Sequence, residues 1–202
     1  MTPIRLLLAD DQAMVRGALA ALLDLESDLE VVAQVGRGDE VLAALEASAP
    51  DVCLLDIEMP GLDGIEATRA VRAAGRARVL VVTTFGRPGY LRRALDAGAS
   101  GFVVKDTPAH ELADAVRRVH AGLRVVDPAL ATESLLDGTS PLTDREADVL
   151  RAALDGGPVA AIAAHLHLSP GTVRNHLSAA IGKTGTRTRA EAARTARDRG
   201  WI

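Results

Sequence analysis

The segment Val52–Gly64, VCLLDIEMPGLDG, constrains this chain more than any other, because it joins a strand-like run to an acidic side chain and a sharp turn. Val52–Leu55 is a short, continuous apolar run, typical of a strand buried on both faces of a parallel sheet. Asp56 follows at once, and Met59-Pro60-Gly61 is a turn signal. Ligands bind at the carboxyl ends of strands in open α/β sheets, so Asp56 stands where chemistry is expected.

A second run of this kind lies near the N-terminus, where Ile4–Ala9 leads directly into Asp10 and Asp11. The ends of parallel strands meet at one edge of a sheet, so we expect these carboxylates to lie near Asp56. Each close pair would repel by roughly 4 kcal/mol at an effective dielectric constant near 20. Three carboxylates in one place require a hard cation, and their oxygen atoms suit magnesium.

Strand-like and helical segments alternate up to residue 122, which predicts a doubly wound α/β fold with a five-stranded parallel sheet, the flavodoxin-like arrangement. The predicted strands are Ile4–Ala9, Glu30–Val35, Val52–Asp56, Arg78–Thr83 and Gly101–Val104. The predicted helices are Ala13–Leu23, Asp39–Ala47, Gly64–Ala74, Tyr90–Ala97 and Pro108–His120. The first helix offers four side chains to the core: Met14, Leu19, Leu22 and Leu23.

The C-terminal part is predicted to be a small all-α domain of four helices. Two capping boxes, at Thr143–Glu146 and Thr188–Glu191, mark the starts of its first and last helices. The predicted helices are Asp144–Leu154, Pro158–Leu166, Pro170–Lys183 and Arg189–Arg199. The expected domains are therefore residues 1–122 and 142–202, joined by a linker over 123–141 in which a short helix can begin at Asp127-Pro128.

Charge is divided unequally between these two parts. The whole chain has a net charge of −4, with residues 1–141 at −7 and residues 142–202 at +3. An acidic N-terminal part joined to a basic C-terminal part suggests two separate functions, with nucleic acid as a candidate partner for the C-terminal part. No apolar stretch has the length of a membrane span, so no membrane insertion is expected. The N-terminus does not resemble a signal peptide, and we expect a cytoplasmic protein.

The acidic strand ends are part of a wider pattern. It consists of Asp10-Asp11, DIEMPGLDG from Asp56, Thr83, and AGASGFVVKD, which contains Lys105. On these residues, the segment 1–122 resembles the receiver domain of two-component response regulators. The resemblance implies that Asp56 accepts a phosphoryl group from the phosphohistidine of a sensor histidine kinase.

The resemblance also implies a metal site. Asp11, Asp56 and the backbone carbonyl of Glu58 are the implied ligands of Mg²⁺, and Asp10 acts through a metal-bound water. Phosphoryl transfer depends mainly on positioning and charge neutralisation, which an ion of this kind supplies.

Three further residues have roles implied by the resemblance. Lys105 shares in neutralising the transferring group, and the hydroxyl of Thr83 hydrogen-bonds the phosphoryl oxygen and draws its loop inward. Phe102 is the aromatic switch side chain that follows. Such a receiver catalyses only its own phosphotransfer and dephosphorylation and is otherwise not an enzyme.

In the third helix of the tail, Val173, Leu177 and Ile181 recur at four-residue spacing and form the expected buried stripe. The opposite surface carries polar residues suited to reading bases, since Arg can grip guanine and Asn adenine. These candidate DNA contacts are Thr172, Arg174, Asn175 and Ser178. A helix N-terminus capped by Ser169 would fit against a phosphate, and Lys183, Arg187 and Arg189 would lie near the DNA backbone.

From LTDREADVL at Leu142 through IAAHLHLSPGTVRNHL to TRAEAA, the tail resembles the LuxR-type helix-turn-helix domain. Receiver plus LuxR-type domain is the layout of the NarL/FixJ response regulators. Ser178 departs from this family, in which a long basic residue is common at that position. The segment GGPVAA at 156–161 also lacks the polar residues usual at the start of the second helix.

The resemblance implies a transcription regulator that dimerises on phosphorylation and binds promoter DNA, with a histidine kinase and RNA polymerase as protein partners. The last helix is the implied dimer contact of the tail, and the first and fifth helices are expected to form that of the receiver. The alternative is a Mg²⁺-dependent phosphohydrolase with an Asp nucleophile, fused to a helical protein-interaction module. Against it, Glu58 stands where such an enzyme has a second Asp.

Overall fold

The computed structural model describes residues 2–84, 88–127, 130–131, 140–154 and 156–202. These residues form two compact units, one spanning most of residues 2–131 and the other the residues from 140 onward.

A single parallel sheet is the centre of the first unit. The described residues contribute six strands, in the order β2-β1-β3-β4-β5-β6. Their bounds are β1 Ile4–Ala9, β2 Leu29–Val35, β3 Val52–Leu55, β4 Arg78–Thr83, β5 Gly101–Val104 and β6 Val125–Val126. The predicted doubly wound, flavodoxin-like parallel sheet is confirmed, but its strand number was wrong by one. The sixth strand pairs with β5 through only two residues, Val125 and Val126, too few to show any periodicity in the sequence.

Helices connect the strands. They are α1 Ala13–Leu23, α2 Val41–Ser48, α3 Gly64–Ala74, α4 Pro88–Asp96 and α5 Ala109–His120. A 3₁₀ turn at Gly38–Glu40 precedes α2, where the sequence predicted continuous helix from Asp39. Within the predicted linker, residues 125–126 are the sixth strand and residues 130–131 are helical. The rest of the predicted linker helix lies outside the described residues.

The central strands are built from Leu and Val and are buried on both faces. On one face Leu8, Leu54 and Leu80 pack against Leu23 of α1 and Val116 of α5. Cys53, next to Leu54 on β3, lies on the opposite face of the sheet with no exposed surface, and burial raises the pKa of its thiol to about 12.

Two side chains assigned to this core are exposed instead. Met14 is 87% exposed and Leu22 is 44% exposed. Met14 and Leu23 are nine residues apart, about two and a half helical turns, and therefore lie on opposite faces of α1. The prediction that Met14 and Leu22 face the core was wrong because it counted apolar residues without their angular positions.

The second unit is helical, with α6 Asp144–Ala153, α7 Val159–His165, α8 Pro170–Thr184 and α9 Arg189–Asp198. Both predicted capping boxes, Thr143 with Glu146 and Thr188 with Glu191, are confirmed. Val149, Leu150, Ile162, Val173 and Leu177 form the centre of its core.

Gly64 illustrates how closely the end of β3 packs on α3. A Cβ at Gly64 would lie 1.9 Å from the main-chain oxygen of Asp56, whereas one at Gly17 in α1 would meet nothing within 4 Å. We therefore expect Gly64→Ala to lower the free energy of unfolding by about 1–3 kcal/mol, the usual effect of overpacking. Gly17→Ala should raise it by about 0.5–1 kcal/mol, because alanine favours helix. Urea unfolding of both variants measures this, and equal stabilities would contradict it.

Candidate functional site

The carboxyl ends of four neighbouring strands bring Asp10, Asp56, Thr83 and Lys105 to one edge of the sheet. The strand ladders continue into these residues, since Asp56 N donates to the Ala9 carbonyl at 2.8 Å. In the same way Lys105 N donates to the carbonyl of Thr83 at 2.8 Å. Backbone pairing therefore fixes the main-chain positions of Asp56, Thr83 and Lys105, independently of their side-chain contacts.

The Lys105 ammonium bridges two buried carboxylates. Its Nζ lies 2.7 Å from Asp10 Oδ2 and 2.8 Å from Asp56 Oδ2. The second oxygen of each carboxylate accepts a main-chain N–H, from Gln12 to Asp10 at 2.9 Å and from Ile57 to Asp56 at 2.7 Å. Both carboxylates are thus held in position from two sides.

Asp11 completes an acidic cluster. Asp10, Asp11 and Asp56 each offer one carboxylate oxygen, and these oxygens lie within 4.8 Å of one another. Asp10 and Asp56 are buried, whereas Asp11 is exposed. An all-oxygen donor set open to solvent on one side is compatible with a divalent cation. Glu58 lies in the following loop with its side chain exposed, and a role for its carbonyl stays a prediction.

Burial raises the pKa of Asp56, and the charge of Asp10 acts in the same direction. The hydrogen bond and charge of Lys105 oppose this without cancelling it. Burial also lowers the pKa of Lys105, but its bonds to Asp10 and Asp56 outweigh burial and leave that pKa raised. The lysine therefore stays cationic, and the ionised form of Asp56 depends on positive charge close to it.

The two predicted switch residues lie on the strands that lead to this edge of the sheet, Thr83 at the end of β4 and Phe102 three residues before Lys105. Thr83 is buried at the end of β4, and Phe102 on β5 has no exposed surface. Phe102 is in register with Val81 of β4 and Val126 of β6. Its ring is therefore buried, and its role as a switch stays a prediction.

The turn after Asp56 is held by a neighbouring loop. Gly38 N donates to the Pro60 carbonyl at 3.1 Å, and Gly61 adopts a positive φ of 84° beneath the Asp39 carboxylate. Asp39 is itself fixed by two hydrogen bonds from Arg37, at 2.9 and 2.8 Å. Sequence reasoning missed these supporting residues, because their contacts are long-range and involve the backbone.

The second unit presents the predicted base-reading surface. Ser169 caps α8 by accepting from Thr172 N at 3.0 Å, and Val173 and Leu177 are buried. Arg174, Asn175 and Ser178 are exposed, while Thr172 is half-buried. The helix thus carries an exposed arginine and an exposed asparagine at consecutive positions.

Two of the residues predicted to contact the DNA backbone make side-chain contacts within the protein. Lys183 Nζ lies 2.7 Å from Glu146 Oε2, the buried acid of the α6 capping box. Arg189 donates to the carbonyls of Gly157 and Gly156 at 2.9 and 3.3 Å. Burial raises the pKa of Glu146, but hydrogen bonds from Lys183 and Thr143 outweigh it and hold that pKa below its usual range.

A parallel sheet of this order with a lysine-bridged acidic pocket, followed by a helical unit with an exposed polar helix face, defines the class of DNA-binding response regulators. Residues 6–117 match the response regulator receiver domain, and residues 140–196 match the luxR family of bacterial regulatory proteins. The chain belongs to the two-component response regulators with a LuxR-type DNA-binding domain and is a transcription regulator. These matches do not favour the phosphohydrolase alternative.

Similar proteins match nearly the whole chain. It is 42% identical over 199 residues to the transcriptional regulatory protein DesR of Bacillus subtilis, covering 98% of this chain and 99% of DesR. It is 43% identical over 202 residues to the response regulator RamR of Streptomyces coelicolor, covering 98% of each.

Solved structures are similar over the same length. The crystal structure of the response regulator ChrA, from a heme-sensing two-component system, is 34% identical with a TM-score of 0.61 and covers 100% of both chains. An RcsB–DNA complex is similar in fold alone, at 22% identity and a TM-score of 0.67, covering 98% of this chain and 99% of that one. Among the described helices, none is both long and apolar enough to cross a membrane.

The pairing of Lys183 with Glu146 favours a structural role for this lysine. Because Lys183 is over one-third exposed, we expect Lys183→Gln to lower the stability of the helical unit by only about 1–2 kcal/mol. The slope of log affinity for DNA against log salt should stay unchanged, since no phosphate contact is lost. Arg187→Gln, which removes an exposed cation, is the matched variant. A slope about one unit shallower in Lys183→Gln would instead make Lys183 a phosphate contact.

Proposed function

We propose that Asp56 is the phosphoacceptor and that a sensor histidine kinase is the donor. The observation that carries this is the Lys105 ammonium held between the carboxylates of Asp10 and Asp56, at 2.7 and 2.8 Å. In the transfer, a carboxylate oxygen of Asp56 forms a bond to phosphorus as the phosphorus–nitrogen bond of the phosphohistidine breaks. The imidazole leaves with the electron pair of that bond.

Three residues of this chain manage the charge of the transferring group. Lys105 exchanges its contact with Asp56 for one with a phosphoryl oxygen and keeps its positive charge throughout. The backbone N–H of Ile57, already directed at Asp56, keeps the acceptor oxygen in place. The Thr83 hydroxyl binds the attached phosphoryl group and moves its loop, and the Phe102 ring follows as the switch.

Asp11, Asp56 and the Glu58 carbonyl would hold Mg²⁺, with Asp10 acting through a water. The three clustered carboxylates fit this ion because hard cations prefer oxygen ligands. When bound, the ion neutralises charge on the transferring oxygens. The receiver then catalyses its own phosphorylation and dephosphorylation and no other reaction.

We further propose that phosphorylation promotes a dimer through α1 and α5. Met14, Leu22 and Leu25 are 87%, 44% and 81% exposed and lie on one side of α1 and the turn that follows it. A solvent-exposed apolar stripe of this kind is typical of an interaction surface. Arg117 of α5 binds Asp28 at 2.8 and 2.7 Å and Glu26 at 2.6 Å, which fixes α5 beside this stripe.

In the DNA-binding domain, we propose that Arg174 and Asn175 read bases and that Ser178 contacts the groove with its short side chain. Thr172 and Ser169 bring the N-terminus of α8 to a phosphate, whereas the pairing of Lys183 with Glu146 favours a structural role for this lysine over a contact with the DNA backbone. The last helix is the proposed dimer contact of this domain. The regulator would act on double-stranded promoter DNA in the bacterial cytoplasm, with RNA polymerase as a further partner.

Asp56→Asn tests the phosphotransfer proposal. We expect this nearly isosteric variant to fold normally and to take no label from a radiolabelled histidine kinase, because the amide cannot accept the phosphoryl group. With Mg²⁺ and beryllofluoride, a mimic of the phosphoryl group, the wild-type mass should change from monomer to dimer, and that of Asp56→Asn should not. Retained labelling would overturn the acceptor. An unchanged wild-type mass would overturn the dimerisation step alone.

The same mass measurement locates the dimer surface. Leu25→Ser should keep phosphotransfer but lose the dimer, because it removes an exposed apolar side chain and leaves the pocket intact. Leu123→Ser, which alters another exposed leucine outside α1 and α5, serves as the control. Dimers that persist in Leu25→Ser at unchanged affinity would place the interface elsewhere.

Arg174→Ala tests the base-reading proposal. We expect it to lose about 1–3 kcal/mol of discrimination at one base position, because a bidentate contact to guanine is removed. Selection from a randomised DNA library, by wild type and variant in parallel, measures this position by position. An identical preference in the variant would place the reading surface away from Arg174.

A further inference from the structure

Arg16 contacts the acidic pocket from α1, on the face of the helix that points toward the sheet. Its side chain is half-buried, and Nη1 donates to the main-chain oxygen of Asp10. The guanidinium also lies against the end of β2, where a Cβ at Gly36 would meet Arg16 Nη1 at 3.4 Å. Arg16 is therefore packed between the end of β2 and the loop that carries Asp10 and Asp11.

This contact completes the fixation of Asp10. Its main-chain N–H donates to Val35 O at 3.2 Å, and its carboxylate accepts from Gln12 N at 2.9 Å and pairs with Lys105 at 2.7 Å. The remaining polar atom is the carbonyl oxygen, which belongs to the same peptide group as the N–H of Asp11. The hydrogen bond from Arg16 thus sets the plane of the Asp10–Asp11 peptide.

Asp11 depends on that peptide plane for its direction. Its side chain is exposed, and among the residues that the structure describes no group hydrogen-bonds its carboxylate. The carboxylate of Asp10 keeps its place through its own partners, whereas within the described part of the chain the carboxylate of Asp11 is oriented by its backbone alone. A rotation of the Asp10–Asp11 peptide group therefore turns the Asp11 carboxylate away from Asp56.

We propose that Arg16 is a positioning residue for the metal site: it orients the Asp10–Asp11 peptide so that Asp11 faces Asp56, and it thereby raises the affinity for Mg²⁺. This inference rests on the magnesium site of the proposed function. It assigns no direct contact between Arg16 and the ion or the phosphoryl group.

Charge and positioning predict opposite effects of removing Arg16. A guanidinium near the pocket repels a divalent cation, so its removal would strengthen Mg²⁺ binding if charge alone mattered. If Arg16 acts by holding the peptide, its removal weakens Mg²⁺ binding despite the lost repulsion. The sign of the change therefore separates the two mechanisms.

The test is a Mg²⁺ titration of the full-length protein, followed by the Tm of the transition that responds to the ion. Arg16→Gln should bind Mg²⁺ about tenfold more weakly than wild type, as is usual when a group that orients a metal ligand is lost. Arg16→Lys should recover most of the affinity, because lysine still donates to a carbonyl. Arg69→Gln, which removes an exposed arginine of α3, is the control for charge and should bind at least as tightly as wild type.

Unchanged or tighter Mg²⁺ binding in Arg16→Gln would overturn the positioning role. A wild-type Tm that does not respond to Mg²⁺, or a response that survives Asp11→Asn, would instead overturn the metal site and with it the role of Arg16. If Arg16→Gln is too unstable to titrate, calorimetric Mg²⁺ binding to Arg16→Lys decides. Affinity near wild type supports the hydrogen bond, and a tenfold loss contradicts it.

Discussion

The ion pair between Lys105 and the buried carboxylates of Asp10 and Asp56 is the interaction on which the rest of the structure depends. Removing one member of a buried pair costs about 3–5 kcal/mol, because the remaining charge is left without a partner. The resting pocket thus neutralises part of its own charge. Under the proposed function, an arriving phosphoryl group or cation would compete for contacts that already exist, and the bonding of Lys105 would change. The hydrogen bonds within the pocket would therefore depend on which charged groups are bound there.

Basic residues of the second unit also have partners within the protein. Lys183 and Arg189 contribute to its net positive charge, yet the first holds Glu146 and the second holds the carbonyls after α6. Their charge still adds to the electrostatic field that attracts DNA, but their side chains are held in contacts that stabilise the helical unit. Under the proposed function, sequence discrimination falls mainly to Arg174 and Asn175, which are exposed on α8. Because Ser178 is too short to add a bidentate contact, each of these two residues would carry more of the proposed specificity.

The parts of the structure that follow from local sequence could be predicted. Buried strand runs ending in Asp10 and Asp56 placed the acidic edge, and capping boxes such as that of Thr143 located helix starts. The features that could not be predicted depend on contacts between residues that are far apart in the sequence. The pair Val125–Val126 becomes a strand only because β5 lies beside it, and Lys183 finds Glu146 across 37 residues of chain. No periodicity records such contacts.

Helix α1 shows why one such contact matters for the whole switch. Arg16 faces inward to the Asp10 carbonyl, and Leu23 anchors the same helix in the core. Met14 and Leu25 point the opposite way, into solvent. These exposed apolar side chains belong to the surface that we propose as the dimer contact. Because a single helix joins the pocket to that surface, a change in the peptide at Asp10 can displace the proposed dimer contact without any intermediate element.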